Sequence, residues 1–133
     1  MSVLVDTNVL LRYFTGDDPT KAERCEELFQ RAAVGEFKLR VSDLCIAEMV
    51  WTLGSFYGEE RNEIAEKVVA LLNTPGLEFS NLPMLLDAAE RFRRKNVDYI
   101  DAYHAALAVS EGVDIYSYDK DFDDLRGVKR KEP

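Results

Sequence analysis

At 133 residues, 47% of them hydrophobic, the chain is long enough for one domain with a real core and short for two, so residues 1–133 read as a single domain. Its net charge of −8 argues against holding nucleic acid on a broad basic face, because phosphate neutralisation is the main sequence-independent source of that affinity. No apolar run approaches the roughly eighteen residues of a membrane span, and the N-terminus lacks a basic region followed by a signal-type apolar core, so a cytoplasmic protein with no membrane partner is expected.

Strand-like segments "SVLV" (2–5), "FKLRV" (37–41), "LEF" (77–79) and "DIYSY" (114–118) alternate with helical patterns, which is the signature of an α/β fold with crossover connections and a parallel sheet. After "DTN" a short helical segment runs to about Tyr13. Asp18 offers an N-cap and Pro19 a first-turn proline for a helix with Ala22, Cys25, Leu28, Phe29 and Ala32 on its apolar face, closed at Gly35. Ser42 caps a helix through Leu53 that Gly54 stops, and the next, from Glu59, carries Ile64, Ala65, Val68, Leu71 and Leu72 at core spacing. The helix after Pro83 has the stripe Leu82, Leu86, Ala89 and Phe92. Asp98 then caps a last helix from Tyr99 to Ser110, ended by Gly112. Cys25 and Cys45 fall at apolar helix positions, where free thiols are expected rather than a disulfide or a zinc site.

Most of the 25 acidic residues lie on solvent faces of helices, but a few stand where core or a strand end is expected. Asp6 interrupts an apolar run at the carboxyl end of what reads as a central strand, where open α/β sheets bind ligands. Glu48 shares a helical stripe with Leu44, Cys45, Trp51 and Thr52. Asp101 lies in the first turn of an apolar helix behind Asp98, and Asp119 follows "IYSY". Each has a local alternative: Asp6 as a helix cap, Glu48 paired to Arg12 or Arg40, Asp101 as a first-turn dipole acid, Asp119 as a turn residue. Convergence of these acids requires a cation, since like charges ~4 Å apart repel by about 4 kcal/mol at an effective dielectric of 20. An all-carboxylate site suits Mg²⁺ or Mn²⁺ rather than zinc. His104, the single histidine, sits in an apolar pattern that suggests packing or hydrogen bonding.

The segments "LVDTNVLLRYFTGDDP", "VSDLCIAEMVWTL", "YIDAYHAALA" and "YSYDKDFDDL", in this order and at these separations, resemble the PIN domain, and within it the VapC-type ribonuclease toxins of toxin–antitoxin pairs. The resemblance runs over nearly the whole chain. It implies a three-layer α/β/α sandwich with a central parallel sheet, and Asp6, Glu48, Asp101 and Asp119 as the acids that bind Mg²⁺ or Mn²⁺ and carry catalysis. Thr7 and Asn8 complete the first motif as supporting residues. Ser117 stands where the family usually has threonine, and Asp121 competes with Asp119 for the fourth ligand position. The implied activity is hydrolysis of RNA phosphodiester bonds, for which a bound divalent ion activates water and offsets phosphoryl charge while a carboxylate such as Glu48 or Asp119 takes the proton. The implied partners are RNA, a cognate antitoxin with a basic inhibitory segment, and a second copy of the chain.

RNA contacts in so acidic a chain have to come from local cations. Arg12 beside the first motif is the expected substrate contact. The run Arg91, Arg93, Arg94 and Lys95 has a competing role against a helix C-terminal dipole, and the tail Lys129, Arg130 and Lys131 is a further basic patch. Rival readings fit less well. A signalling receiver needs a paired acid after the first strand and a phospho-accepting aspartate ending the middle one, where only Asp43 stands; a haloacid-dehalogenase-type phosphatase needs an acid at position 8, which is Asn. A PIN-like module that only binds RNA or protein has no need of the intact acids.

Overall fold

Short apolar runs in the first eighty residues form β1 (Ser2–Leu4), β2 (Lys38–Arg40) and β3 (Leu77–Glu78), hydrogen-bonded in the order β1-β2-β3. Both pairings are parallel, with Val3 opposite Leu39 and Leu39 opposite Leu77. This arrangement belongs to a computed structural model that describes residues 1–133 and divides into two compact units, Met1–Ser80 and Asn81–Pro133. Within the sheet β2 is the middle strand and β1 flanks it, whereas the sequence suggested a central position for β1.

Parallel strands need crossovers, and helix pairs supply them: α1 (Thr7–Thr15) and α2 (Pro19–Ala33) between β1 and β2, then α3 (Asp43–Ser55) and α4 (Arg61–Leu72) between β2 and β3. Their starts are chemically marked. The Asp18 side chain accepts from the Lys21 amide at 3.1 Å with Pro19 in the first turn, and Ser42 Oγ accepts from the Cys45 amide at 3.1 Å. Glu60 and Glu63 form a reciprocal capping box, so α4 starts at Arg61, two residues beyond the expected start at Glu59. Helix α3 runs through Gly54 to Ser55. Gly54 is not a left-handed stop; a Cβ there would lie 3.5 Å from Ile64 Cδ1, so its smallness serves the contact between α3 and α4. The core of this unit gathers Leu10, Leu39, Ile46, Met49, Leu53, Val68 and Leu71, all essentially inaccessible.

In the second unit α5 (Leu82–Arg94) packs on α6 (Tyr99–Glu111), followed by β4 (Ile115–Tyr116), a 3-10 turn over Lys120–Asp124 and β5 (Arg130–Lys131), which pairs in parallel with β4. Asn81 caps α5 by accepting from the Met84 amide at 3.0 Å. The buried face of α5 is Met84, Leu85, Ala88, Ala89 and Phe92. Leu82 is the helix's first residue and remains exposed, so the expected stripe is rotated by about one position toward the alanine-rich face of α6, where Ala102, Ala105, Ala106 and Ala108 are buried. Small residues on that face let the two helices approach closely. Gly112, left-handed at φ 68°, ends α6.

Candidate metal centre

Asp6 is the N-cap of α1, and the chain leading to it is fastened on two sides. The amide of buried Val5 donates to the Arg40 carbonyl at 2.9 Å, and its carbonyl accepts from Cys45 Sγ at 3.3 Å. An N-cap aspartate ordinarily accepts from the amide two or three residues on; Asp6 makes no such bond. Its carboxylate is exposed, Thr7 beside it is buried, and Asn8 is exposed. Thr7 alone among polar and charged residues is buried. Capping therefore does not account for the acid.

Glu48 lies at mid-length in α3 with Leu44 and Trp51 one turn away on the same face. The expected stripe exists, but the face is open: Leu44 is 81% and Trp51 71% exposed. The buried face of α3 is instead Ile46, Met49, Val50 and Leu53. The arginines available to neutralise Glu48 are committed elsewhere, Arg12 Nη1 to Asp17 at 3.0 Å and Arg40 Nε to Glu78 at 3.9 Å.

In the second unit Asp98 is the N-cap of α6, again without a side-chain cap bond, and Asp101 stands in the first turn. Burial first, then the charges of Asp119 and Asp98, push the Asp101 carboxyl above its ordinary value; His104 works against this and Asp121 adds a smaller push. An acid surrounded by like charge in partial burial is one that a cation would relieve. Asp119 caps the 3-10 turn: its Oδ1 accepts from the Asp121 amide at 2.9 Å, and its own amide donates to Ser117 Oγ at 2.9 Å. Of the two aspartates of this turn, Asp119 acts on Asp101 more strongly than Asp121 does. His104 departs from expectation. It is exposed, with its ring against Tyr103 at a centroid distance of 5.9 Å, because the alanines form the buried face of α6.

Within neither unit do three His, Cys, Asp or Glu side chains come together as a metal-holding group. The chemistry of the donors is nonetheless that of a hard divalent ion: Asp6, Glu48, Asp101 and Asp119 offer carboxylate oxygens only, and none of them takes part in an ion pair.

The basic residues are less free than the sequence suggested. Arg12 belongs to a hub on Asp17, whose carboxylate accepts from Tyr57 Oη at 2.7 Å, Arg12 Nη1 at 3.0 Å and Thr15 Oγ1 at 3.0 Å. The hydrogen bonds from Tyr57 and Arg12 bring the Asp17 carboxyl down to about 2. Sequence reasoning did not find this hub, since Tyr57 lies forty residues from Asp17. In the 91–95 run, Arg91 pairs with Asp87 at 3.0 Å and Arg94 with Glu90 at 2.7 Å, each one helical turn back. In the tail, Arg130 is engaged by Asp123 and Glu132, and Lys131 by Asp114 at 2.7 Å.

Comparison with known proteins adds the family. The chain is 28% identical over 131 residues to the VapC ribonuclease of Aquifex aeolicus (strain VF5), covering 98% of this chain and 96% of that one. Among solved structures it is similar to VapBC2 from Rickettsia felis bound to a DNA fragment from their promoter, at 12% identity and a TM-score of 0.41, with 99% of this chain and 98% of that chain covered. The family model for the PIN domain matches residues 3–128, a span that holds Asp6, Glu48, Asp101 and Asp119, and the chain belongs to the PIN domain family.

Proposed function

We propose that this protein is a metal-dependent endoribonuclease, the toxin of a toxin–antitoxin pair, working in the cytoplasm. The observation that carries the reading is that Asp6, Glu48, Asp101 and Asp119 all fall within the PIN match and none of them takes part in an ion pair. Their charges are left for an exogenous cation. The curated relative, a VapC ribonuclease matched along nearly its full length, supports the substrate class. The PIN match also runs through both compact units, which supports reading residues 1–133 as one domain.

In this reading Asp6, Glu48, Asp101 and Asp119 hold Mg²⁺ or Mn²⁺, with Asp121 as auxiliary. The ion, when bound, supplies positive charge at the phosphoryl oxygens and lowers the pKa of water. The chain's own part is positioning and proton transfer. Thr7 and Asn8 order the first motif, and Ser117 holds the Asp119 amide. A carboxylate not fully used in coordination, Glu48 or Asp119, takes the proton of the attacking water as its oxygen adds to phosphorus and the bond to the leaving nucleoside oxygen breaks, that oxygen taking a proton from solvent. Arg12, fixed by Asp17, presents its remaining donors to the RNA backbone. Inhibition follows when a basic segment of an antitoxin places an arginine among the acids, and the active form is a homodimer.

Incubation of the purified protein with single-stranded and structured RNA in Mg²⁺, Mn²⁺ or EDTA tests this. Cleavage is expected with metal only, and is expected to vanish in Asp6→Asn while the circular dichroism spectrum is retained. Cleavage that persists both in EDTA and in the variant refutes the mechanism.

A further inference from the structure

The sequence singles out Arg130 as part of a basic tail, yet its side chain is only 13% exposed. Four of its five N–H donors are used. Nε and Nη2 donate to the two oxygens of Asp123 at 2.9 and 3.1 Å, Nη1 donates to the Ser117 carbonyl at 3.0 Å, and Nη1 also reaches Glu132 at 3.2 Å. Ser117 and Asp123 bracket the segment that carries Asp119 and Asp121. One planar group therefore ties both ends of the loop on which two of the candidate metal ligands stand.

Backbone pairing alone gives that loop little support. Strands β4 and β5 are two residues each, joined by the Ile115 amide to the Lys129 carbonyl and the Ser117 amide to the Lys131 carbonyl, both at 2.9 Å. So short a parallel pair is marginal without further contacts. Inside the loop, the bonds from Ser117 Oγ to the Asp119 amide and from Asp119 Oδ1 to the Asp121 amide set the turn, but they connect only residues within it. Phe122 buries its ring in the middle of the loop, and the hydrogen bonds of Arg130 join the loop's beginning, its end and β5. A lysine has one ammonium where this geometry uses three nitrogens of a rigid fork.

We propose that Arg130 is a positioning residue: it clamps the 117–123 loop so that Asp119 is presented to the divalent ion. This rests on the metal-dependent reading above, and it assigns to a residue of the tail a structural part in that site instead of a contact with RNA.

The test uses two readouts on the full chain, wild type beside Arg130→Lys and Asp123→Asn, the latter reaching the same clamp from its other side if the arginine variant fails to fold. Amide hydrogen exchange on the metal-free protein reports the loop itself. Exchange at Asp119 and Asp121 is expected to quicken in both variants while amides of α5 and α6 stay as in the wild type; unchanged exchange at the two aspartates overturns the clamp. Calorimetric titration with Mn²⁺ reports the consequence. Affinity is expected to fall by about 10- to 100-fold, the range for partners that orient metal ligands, and to fall less in Asp123→Asn, which keeps one acceptor oxygen. Faster loop exchange with wild-type Mn²⁺ affinity overturns the positioning role. A wild type that takes up no Mn²⁺ overturns the metal reading, and the positioning role with it, even where the exchange data show the loop released.

Discussion

Gly76 offers a quantitative check on how the first sheet is held. It adopts φ +83°, and a Cβ built there would lie 2.5 Å from both the carbonyl carbon and oxygen of Ala32 and 2.8 Å from the Ala33 amide nitrogen. Its carbonyl accepts from the Leu39 amide at 3.1 Å, so the residue both opens β3 and touches the end of α2. Gly35 is the natural control, with φ +88° and nothing within 4 Å of the corresponding Cβ. Left-handed backbone costs a non-glycine residue about 1–2 kcal/mol, and Gly35→Ala should show only that, reduced by the few tenths to 1 kcal/mol gained by restricting the unfolded chain. Gly76→Ala adds a backbone clash far inside the ~3.5–4.0 Å optimum between carbons, relieved only by moving α2 or β3 at about 1–3 kcal/mol more. Urea unfolding of the two variants measures the difference directly. Equal midpoints would refute the claim that α2 and β3 meet at a position where only glycine fits.

Asp101→Asn is expected to raise the melting temperature of the metal-free protein at pH 7. The carboxyl's folded-state pKa is raised, chiefly by burial and by Asp119, so its favourable contribution is complete below the ordinary value near 3.8 and is lost as pH rises through the raised value; the advantage of Asn should therefore disappear on acidification. A variant less stable than wild type at pH 7 contradicts this. Asp17 has the opposite sign: lowered to about 2, it stabilises above its ordinary value near 3.8, and that stabilisation fades as pH falls toward 2. Tyr57→Phe should thus melt earlier than wild type at neutral pH and converge with it in acid, and identical melting at both pH values would count against the hub. Leu53→Ala, at a fully buried position of α3, is expected to cost about 2–5 kcal/mol in chemical denaturation, and a loss under 1 kcal/mol would mean that the site collapses without a cavity.

What the sequence made legible is what local chemistry determines. Asp18 and Ser42 are caps because their oxygens reach amides within three residues, and the parallel strands announce themselves through apolar runs separated by helix-length segments. The 3.6-residue pattern places Glu48 on a stripe with Leu44 and Trp51, but it cannot say that this face is open within its unit while Ile46, Met49 and Leu53 turn inward. Strand β5 gave no signal, since Arg130 and Lys131 are a charged pair whose strand character comes from β4 and from Asp123 and Asp114. His104 was misread for a related reason: in a helix of alanines, hydrophobic periodicity is weak, and which face packs is decided by α5. Family resemblance identified the acids as a set; the structure adds that Arg12 and Arg40 are spoken for by Asp17 and Glu78, which the sequence left open.

The proposed metal centre requires acids from distant parts of the chain to serve one divalent ion. Titration of Mn²⁺ into wild type, Asp6→Asn and Asp101→Asn, followed calorimetrically, addresses it without requiring knowledge of the RNA target. Saturable binding in the wild type, weakened by at least about tenfold in each variant, is the expected result. Binding that survives undiminished in either variant would show that Asp6 and Asp101 do not share the ion.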